Sequence, residues 1–170
     1  MAEPLALAFA NTRSSRERDR IATLERFRAW ARPWPVLAAC AAELRSDHLP
    51  DVLARRDATQ LVLHRIAAGE PPPAAELDLA TGPGLSPAGF LIRPAPGGVA
   101  LDGTGPEAVQ HLLGRALVDF LLGQQAEQLR RCQGEGCHKV FVSARAHRRW
   151  CDSRICGNRA RVAAHARRHG

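Results

Sequence analysis

The spacing of hydrophobic residues in the first part of the chain predicts three helices, at residues 17–34, 36–44 and 50–69. In the first of them, apolar side chains recur at helical intervals and form a stripe opposite arginine and glutamate, made of Ile21, Leu24, Phe27 and Trp30. Pro33 and Pro35 end this helix because proline cannot continue the backbone hydrogen bonding. Pro50 suits the first turn of the third helix, and Gly69 ends it.

The pattern changes after residue 69. Residues 69–89, GEPPPAAELDLATGPGLSPAG, contain five prolines and predict a loop or linker with at most one irregular helical turn. Residues 89–102 alternate in a way that predicts a β-hairpin turning at Pro96, Gly97 and Gly98. Apolar residues recur at helical spacing from Glu107 to Arg131, and this is the longest predicted helix, leading directly into the cysteine-rich segment. Residues 153–168 predict a last helix.

Positive charge is concentrated at the C-terminal end. The chain has 170 residues, 45% of them hydrophobic, and a net charge of +7, which is enough apolar material for a buried core. Residues 129–170 hold eleven Lys and Arg against two acidic residues, a net charge of +9, whereas residues 1–128 carry −2. A field of one sign over so short a segment attracts a polyanion.

Four of the five cysteines form two matched pairs in this basic segment. Cys132-x4-Cys137 and Cys151-x4-Cys156 are separated by thirteen residues, which is a spacing typical of a tetrahedral four-cysteine zinc site. The insert can run out and back as a hairpin and deliver the second pair. Cys156 then falls in the first turn of the last helix, whose N-terminal N–H groups favour a thiolate. One structural Zn2+ is the predicted cofactor.

Other interpretations of the cysteines remain open at this point. Two disulfides, free core cysteines or an iron–sulfur cluster also use these residues, and His138 or His147 could replace a cysteine as ligand. Cys40 stands alone in an alanine-rich segment, where a free cysteine behaves as a small buried hydrophobe. A catalytic zinc keeps an open position, and the sequence has no His-Glu-x-x-His or other nucleophile–base set. We therefore expect that the protein is not an enzyme.

Arginines surround the predicted metal site with few acidic residues between them. Guanidinium groups pair bidentately with phosphate and with guanine edges, so this pattern favours contact with nucleic acid. At helical spacing, Ile155, Val162 and Ala166 share a face that we expect to pack on Trp150 and Phe141. The predicted nucleic-acid contacts are Arg145, Arg148, Arg149, Arg154, Asn158, Arg159 and Arg161. For Asn158 and Arg159, a structural role next to the metal is an equal alternative.

These residues resemble a known family. RRWC at residues 148–151 and CGNR at residues 156–159 are similar to the CGNR zinc finger, in which Cys-x4-Cys is followed by Phe and then by Arg-Arg-Trp-Cys-x4-Cys-Gly-Asn-Arg. The matching residues are Cys132, Cys137, Phe141, Arg148, Arg149, Trp150, Cys151, Cys156, Gly157, Asn158 and Arg159. LALAFANTR (residues 5–13), AAGEPPPAAEL (67–77) and EQLRRC (127–132) resemble the ABATE domain of bacterial stress-induced transcription regulators. The resemblance implies a zinc-binding, DNA-binding module attached to a mostly helical domain.

The N-terminal region offers a second candidate site. The NTR segment at residues 11–13 suits a turn or helix cap, which is a structural role. The functional alternative is that Asn11 and Arg13 line a pocket for a small acidic effector. His64 and His111 fit helix-face or core positions better than ligand positions. The long predicted helix that leads into Cys132 motivates the hypothesis that an effector shifts the zinc finger.

Together these patterns predict an α+β protein with two units: a mostly helical, ABATE-like domain with a small β-hairpin at residues 1–128, and a four-cysteine zinc finger with a treble-clef-like hairpin and helix at residues 129–170. We expect a cytoplasmic, DNA-binding transcription regulator without a membrane span, with a homodimer as one option. The alternative is a zinc-stabilised module that binds an acidic protein or a metabolite instead of DNA.

Overall fold

A computed structural model describes residues 3–85, 91–95, 98–102 and 105–169 of the chain. In this part of the chain the fold is mostly helical, with two small antiparallel hairpins. The helices are α1 (Leu5–Ala10), α2 (Leu24–Ala31), α3 (Pro35–Ala42), α4 (Leu49–Ala67), α5 (Ala74–Leu85), α6 (Gly105–Leu122) and α7 (Cys156–His169), with short 3-10 helices at Ser46–His48 and Gln124–Gln128. The strands are β1 (Leu91–Ala95), β2 (Gly98–Asp102), β3 (Leu129–Arg131) and β4 (Val140–Val142).

The three predicted N-terminal helices are present, but the first was predicted too long at residues 17–34. Residues 17–23, including Ile21, form turns in which the Arg20 N–H donates to the Thr12 carbonyl at 2.9 Å, and α2 begins only at Leu24. Thr23 caps α2 by accepting a hydrogen bond from the Arg26 N–H at 3.3 Å, and Pro35 opens α3. Pro50 lies in the first turn of α4, and Gly69 follows its end with φ +73. At a left-handed φ a side chain is strained, so glycine ends this helix without cost.

The proline-rich segment was predicted wrongly as a loop. Residues 74–85 of this segment form α5, which begins directly after Pro73 and whose Leu77 N–H donates to the Pro73 carbonyl at 3.0 Å; residues 86–89 lie outside the described residues. Ala80 and Thr81 are buried, and the Arg55 guanidinium of α4 donates to the Ala80 carbonyl at 2.9 Å. Packing against α4 and α6 therefore outweighs the low helix propensity of the Thr-Gly-Pro-Gly stretch.

The hairpin predicted at residues 89–102 is confirmed as β1 and β2, which pair from Leu91 with Asp102 to Ala95 with Gly98. Pro96 and Gly97 of the predicted turn lie outside the described residues. The helix predicted up to Arg131 is wrong beyond Leu122. Gly123 is extended, with ψ 155, and the chain continues through a 3-10 helix into β3.

The β3–β4 hairpin connects the helices to the metal site. Leu129 of β3 and Val140 of β4 are almost completely buried in an apolar cluster with Leu7, Val62 and Phe120 of α1, α4 and α6. The hairpin is thus part of the helical core, and its turn carries the first cysteine pair beyond it. The division of the chain into units at residues 128 and 129 stays a prediction. The contacts of Leu129 and Val140 with the helices join the two proposed units.

Among the described helices, none combines the length and apolar character that crossing a membrane requires.

Candidate metal centre

Two short segments deliver the four cysteines to one point. The first pair, Cys132 and Cys137, lies in the turn between β3 and β4. Cys151 lies in the irregular segment before α7, and Cys156 is the first residue of that helix. The hairpin therefore surrounds the first pair, whereas the sequence predicted it within the thirteen-residue insert. In residues 143–155 the chain returns beside Gln133, whose N–H donates to the Arg149 carbonyl at 2.9 Å, without forming another strand.

The sulfur atoms have the separation that a tetrahedral zinc ion requires. All four Sγ atoms lie within 4.8 Å of one another; the Cys137–Cys151 distance is 3.9 Å and the Cys151–Cys156 distance is 3.7 Å. Zn–S bonds of about 2.3 Å in a tetrahedron place sulfurs about 3.8 Å apart. A disulfide would need about 2.05 Å, and none of the four clustered cysteines forms a disulfide. Sulfurs this close enclose one ion, whereas a multi-iron cluster spreads its cysteines over separate irons.

Hydrogen bonds to sulfur stabilise negative charge at the centre. The N–H groups of Gly134 and Cys151 each point to Cys132 Sγ at 3.4 Å, and the Arg159 guanidinium lies 3.5 Å from Cys156 Sγ. Burial raises the pKa of Cys132, but these N–H groups and the neighbouring thiols outweigh it, so the pKa is lower than usual. Burial raises the pKa of Cys137 to about 11. Without a cation, the centre therefore cannot ionise all its thiols together.

Two glycines allow the first cysteine pair to converge. Gly136 has φ +65, a left-handed conformation that disfavours any side chain. A Cβ on Gly134 would lie 3.0 Å from Cys156 Cβ and 3.2 Å from its Sγ. The turn can thus wrap around the metal only because residue 134 has no side chain.

The second cysteine pair is fixed by the start of α7. Asp152 holds the turn that leads into the helix, since its Oδ1 accepts the N–H groups of Arg154 at 2.7 Å and Ile155 at 3.0 Å. Cys156 then lies in the first turn, where the helix dipole favours a thiolate. A Cβ on Gly157 would be 3.3 Å from the Trp150 ring, so the indole lies against the helix backbone.

Arg148 and Arg149 are exposed, but their guanidinium groups also form contacts that stabilise the metal module. The Arg148 guanidinium lies over the Phe141 ring, 4.9 Å from its centroid, and donates to the carbonyls of Trp150 at 3.1 Å and Cys151 at 2.6 Å. Arg149 lies over the Trp150 ring at 5.4 Å and donates to Gln133 Oε1 at 2.7 Å. Arg148 thus holds the backbone of a metal ligand, a role that the sequence did not reveal.

The predicted nucleic-acid contacts are all exposed, on the segment after β4 and on α7: Arg145, Arg148, Arg149, Arg154, Asn158, Arg159 and Arg161. Arg161 donates to the Ser153 carbonyl at 3.3 Å, and Arg159 contacts Cys156 as described. Within the described residues, the side chains of Arg145, Arg154 and Asn158 form no hydrogen bond or ion pair, so they extend freely from the module.

The apolar face of α7 does not pack as predicted. Ile155 is 56% exposed, Val162 is 60% exposed, and Ala166 is exposed too. The cysteine cluster and the Trp150 ring already cover the other side of α7, where Cys156 and Gly157 are buried. Trp150 and Phe141 pack around the cysteines instead.

Asn11 and Arg13 lie next to the zinc-binding hairpin. Asn11 is buried at the end of α1; its Nδ2 donates to the Val140 carbonyl at 2.9 Å, and its Oδ1 accepts the Val140 N–H at 3.0 Å. Arg13 forms an ion pair with Asp57 at 3.0 Å, and Asp57 also accepts from Arg56 at 2.7 Å. The NTR segment is therefore built into the contact between the helices and the finger.

Two further side chains of α4 complete this contact. Gln60 donates to the carbonyls of Ala10 at 2.9 Å and Arg13 at 2.8 Å, and it reaches His138 O at 3.3 Å. His64 Nε2 lies 2.8 Å from the same carbonyl, and burial lowers the pKa of this imidazole. His138, beside a metal ligand, also donates its N–H to the Ser14 carbonyl at 2.9 Å. Nothing in the sequence pattern identifies Gln60, because its partners are backbone groups far along the chain.

A cleft of about 410 Å3 opens between residues 14–18 and the first cysteine pair. Its wall includes Cys137, Cys151 and Cys156, with Arg159 at α7. Neither Asn11 nor Arg13 lines it.

Comparison with known proteins agrees with this geometry. No curated protein matches the chain. Residues 128–169 match the family model of the CGNR zinc finger, a segment that contains all four clustered cysteines. The C-terminal segment of this protein is thus similar to the CGNR zinc finger over its whole metal module, and its four cysteines form a binding site for one zinc ion.

Proposed function

We propose that the protein is a DNA-binding transcription regulator whose zinc finger presents a cationic surface to the duplex. The observation that supports this most is that the finger arginines form no salt bridge with a carboxylate among the described residues, although Glu135 and Asp152 lie in the same segment. In the described part of the chain, none of the arginines from Arg130 to Arg168 forms a salt bridge with an acidic side chain. An array of unpaired guanidinium groups attracts phosphate over a distance and binds it at contact.

The helical region shows the contrasting arrangement. There Arg13, Arg45, Arg56, Arg65 and Arg115 each pair with an aspartate or glutamate. Other arginines of the helical region, such as Arg28 and Arg55, donate to carbonyl or amide oxygens instead, so pairing with carboxylates is frequent in this region but not general. The finger has only two acidic residues, Glu135 and Asp152, and α7 contains none, which favours a polyanionic partner over simple solvation.

The arginines of the finger divide by what else they contact. The strongest candidates for DNA contact are Arg145, Arg154 and Arg161, because they are exposed and their side chains form at most one hydrogen bond within the described finger. Arg149 uses only Nε within the module, so its terminal nitrogens remain available. Arg148 bonds two carbonyls of the metal loop, and its loss would disturb zinc binding together with DNA binding.

The zinc ion has a structural role in this proposal. Four thiolates complete a tetrahedral shell and leave no position for substrate or water. The ion joins the hairpin turn to the start of α7 and so fixes the direction in which the basic helix leaves the protein. We therefore propose no enzymatic activity.

A second candidate function is ligand sensing, and the cleft next to the metal favours it. The cleft joins residues 14–18 of the helical region to the finger, so an effector bound there would contact both. The sequence suggested that an effector could shift the finger through one long helix leading into Cys132. Because that helix ends at Leu122, we place the coupling at the cleft instead. Sensing and a stress-related role follow from the ABATE resemblance and remain proposals.

Selection of bound sequences from random duplexes, followed by salt-dependent titration, tests DNA binding. If about six phosphates are neutralised, log affinity falls against log salt with a slope of about −5. Replacing Arg145 and Arg154 together with alanine should lower affinity and make the slope less steep by about 2. Arg115→Ala is the matched control, because Arg115 is exposed on α6 and pairs with Asp119 at 2.7 Å.

Two results would contradict DNA binding. One is the absence of duplex binding at low salt by protein that contains zinc. The other is an equal loss of affinity in Arg115→Ala and in the double variant, which would indicate general charge attraction instead of a defined surface. A thermal shift with a metabolite, in protein that binds no duplex, would favour ligand sensing.

A further inference from the structure

The exposed aliphatic side chains of α7 need an explanation. Ile155 and Val162 are more exposed than most large apolar residues of a folded chain, at 56% and 60%. Ile155 directly precedes the helix, and its carbonyl accepts the Arg159 N–H at 3.0 Å, so it continues the helical geometry. With Val162 and Ala166 at i+7 and i+11, it forms one stripe along the helix.

This aliphatic stripe lies beside the polar face of the same helix. Asn158, Arg161 and His165 are exposed and lie about 90° round the helix from Val162 and Ala166, at 100° per residue. The two faces adjoin each other, and in the described part of the chain their side chains are exposed. The surface combines guanidinium, amide and aliphatic groups; α7 itself contributes no negative charge, and Glu135 is the acidic residue that lines the groove beside Val162 and Ala166.

A second copy of α7 fits this surface poorly. Two aliphatic side chains and an alanine supply only a small part of the roughly 800 Å2 that each partner buries in a stable interface. Arginines flank the stripe, and pairing two such helices would bring like charges together. The occupant must therefore be an anion that also offers small apolar groups.

The major groove of DNA has this combination. Guanine edges accept from arginine, adenine pairs with asparagine, and thymine presents a 5-methyl group to aliphatic side chains. The groove is about 12 Å wide and admits one helix, and the fourteen residues of α7 extend about 21 Å. The polar and aliphatic faces would then meet neighbouring base edges within the same groove.

We propose that Ile155 and Val162 contact thymine methyl groups when α7 lies in the major groove. This inference rests on the proposed DNA binding of the finger and adds a source of sequence specificity to it. Arginines outside the helix then contact phosphate, and the aliphatic stripe favours sites that contain thymine at fixed positions.

Replacing thymine by deoxyuridine in a selected duplex tests the inference, because it removes the methyl group and keeps the base pairing. With the full chain, we expect a loss of about 3–5-fold in affinity at one or two positions and none elsewhere. The Val162→Ala variant should bind the thymine duplex more weakly than the wild type does. At the thymine that Val162 contacts, replacement by deoxyuridine should then lower the affinity of this variant little further. Val36→Ala is the matched control, since Val36 is 41% exposed on α3, away from the finger.

The outcomes separate the two proposals. A protein that selects a sequence but binds thymine and deoxyuridine duplexes equally at every position would overturn this inference and leave DNA binding intact. Val162→Ala that leaves duplex affinity unchanged but dissociates an oligomer in sedimentation would also overturn it, in favour of a second copy. The absence of any duplex binding would remove the proposed function itself. Zinc content, measured for each variant, identifies any loss that comes from unfolding of the finger.

Discussion

Replacing Asn11 with alanine tests whether the helical region and the zinc finger fold as one unit. The side chain forms two hydrogen bonds with the backbone of Val140 and a third with Glu3 Oε1 at 2.8 Å. Val140 is 1% exposed and belongs to the apolar cluster that includes α1, α4 and α6. Alanine would leave the N–H and the carbonyl of Val140 without these partners in a buried position.

The expected effect is large. A buried backbone group left unpaired costs about 1–3 kcal/mol, so the two groups of Val140 together should lower the free energy of unfolding by about 2–6 kcal/mol. That is a substantial share of the roughly 5–15 kcal/mol by which domains are stable. At about 2–4 °C for each kcal/mol in a chain of this size, the melting temperature should fall by roughly 4–24 °C.

Urea unfolding at fixed free zinc, followed by circular dichroism, measures the change. Asn158→Ala is the control, since Asn158 is exposed on α7 and a surface substitution changes stability by about 0.5 kcal/mol or less. A difference below about 1 kcal/mol between the two variants would refute the role of Asn11. Separate unfolding transitions for helices and finger in the wild type would do so as well.

Three other predictions concern the metal module. Gly134→Ala should weaken zinc binding at least tenfold in a competition with a chromophoric chelator, because the added Cβ would meet Cys156. Gly136→Ala is the control. It should lower the stability by about 1–2 kcal/mol, the strain of a side chain on a left-handed backbone. Arg148→Ala should weaken zinc binding in the same assay, and Arg148→Lys should restore little of it, because a lysine cannot bond two carbonyls while lying over Phe141. Since the pKa of Cys137 is raised to about 11, this thiol is protonated at pH 7 and must lose its proton to bind zinc. Calorimetry in buffers of different ionisation enthalpy should therefore show that zinc binding releases protons. The zinc affinity should also fall as the pH falls. Zinc binding without proton release would contradict the last of these.

The sequence predicted the metal ligands because their chemistry is local. Two cysteines four residues apart can converge on one ion from a single turn, whatever the rest of the fold does. The ends of α4 were predictable for a similar reason, since Pro50 and Gly69 restrict the backbone at their own positions. The β1–β2 hairpin also follows from a local pattern.

Elements that depend on distant contacts were not predictable. α5 forms across glycine and proline because Ala80 and Thr81 are buried against other helices, and propensity alone gives no sign of this. Leu129 continues a helical pattern in the sequence but lies in a strand, where its side chain joins the core through β3. A buried leucine is compatible with either structure, and only the pairing with Val142 decides between them.

The candidate site shows the same division. The sequence located the arginines but could not separate Arg148, which supports the metal loop, from Arg145, which extends into solvent. Helical periodicity grouped Ile155 with Val162 correctly, but it could not tell whether their face would be covered. The metal loops contact a different side of α7, and their position depends on the whole tetrahedral site.

The metal content of the purified full chain tests most directly whether the four cysteines organise this finger. In protein prepared without chelators, elemental analysis should find one equivalent of zinc per chain, and a chelator should release it as the four thiols of the cluster become reactive. Iron in place of zinc, or a chain without stoichiometric metal whose cysteines are paired as disulfides or react freely from the start, would contradict the zinc centre and the basic surface built on it.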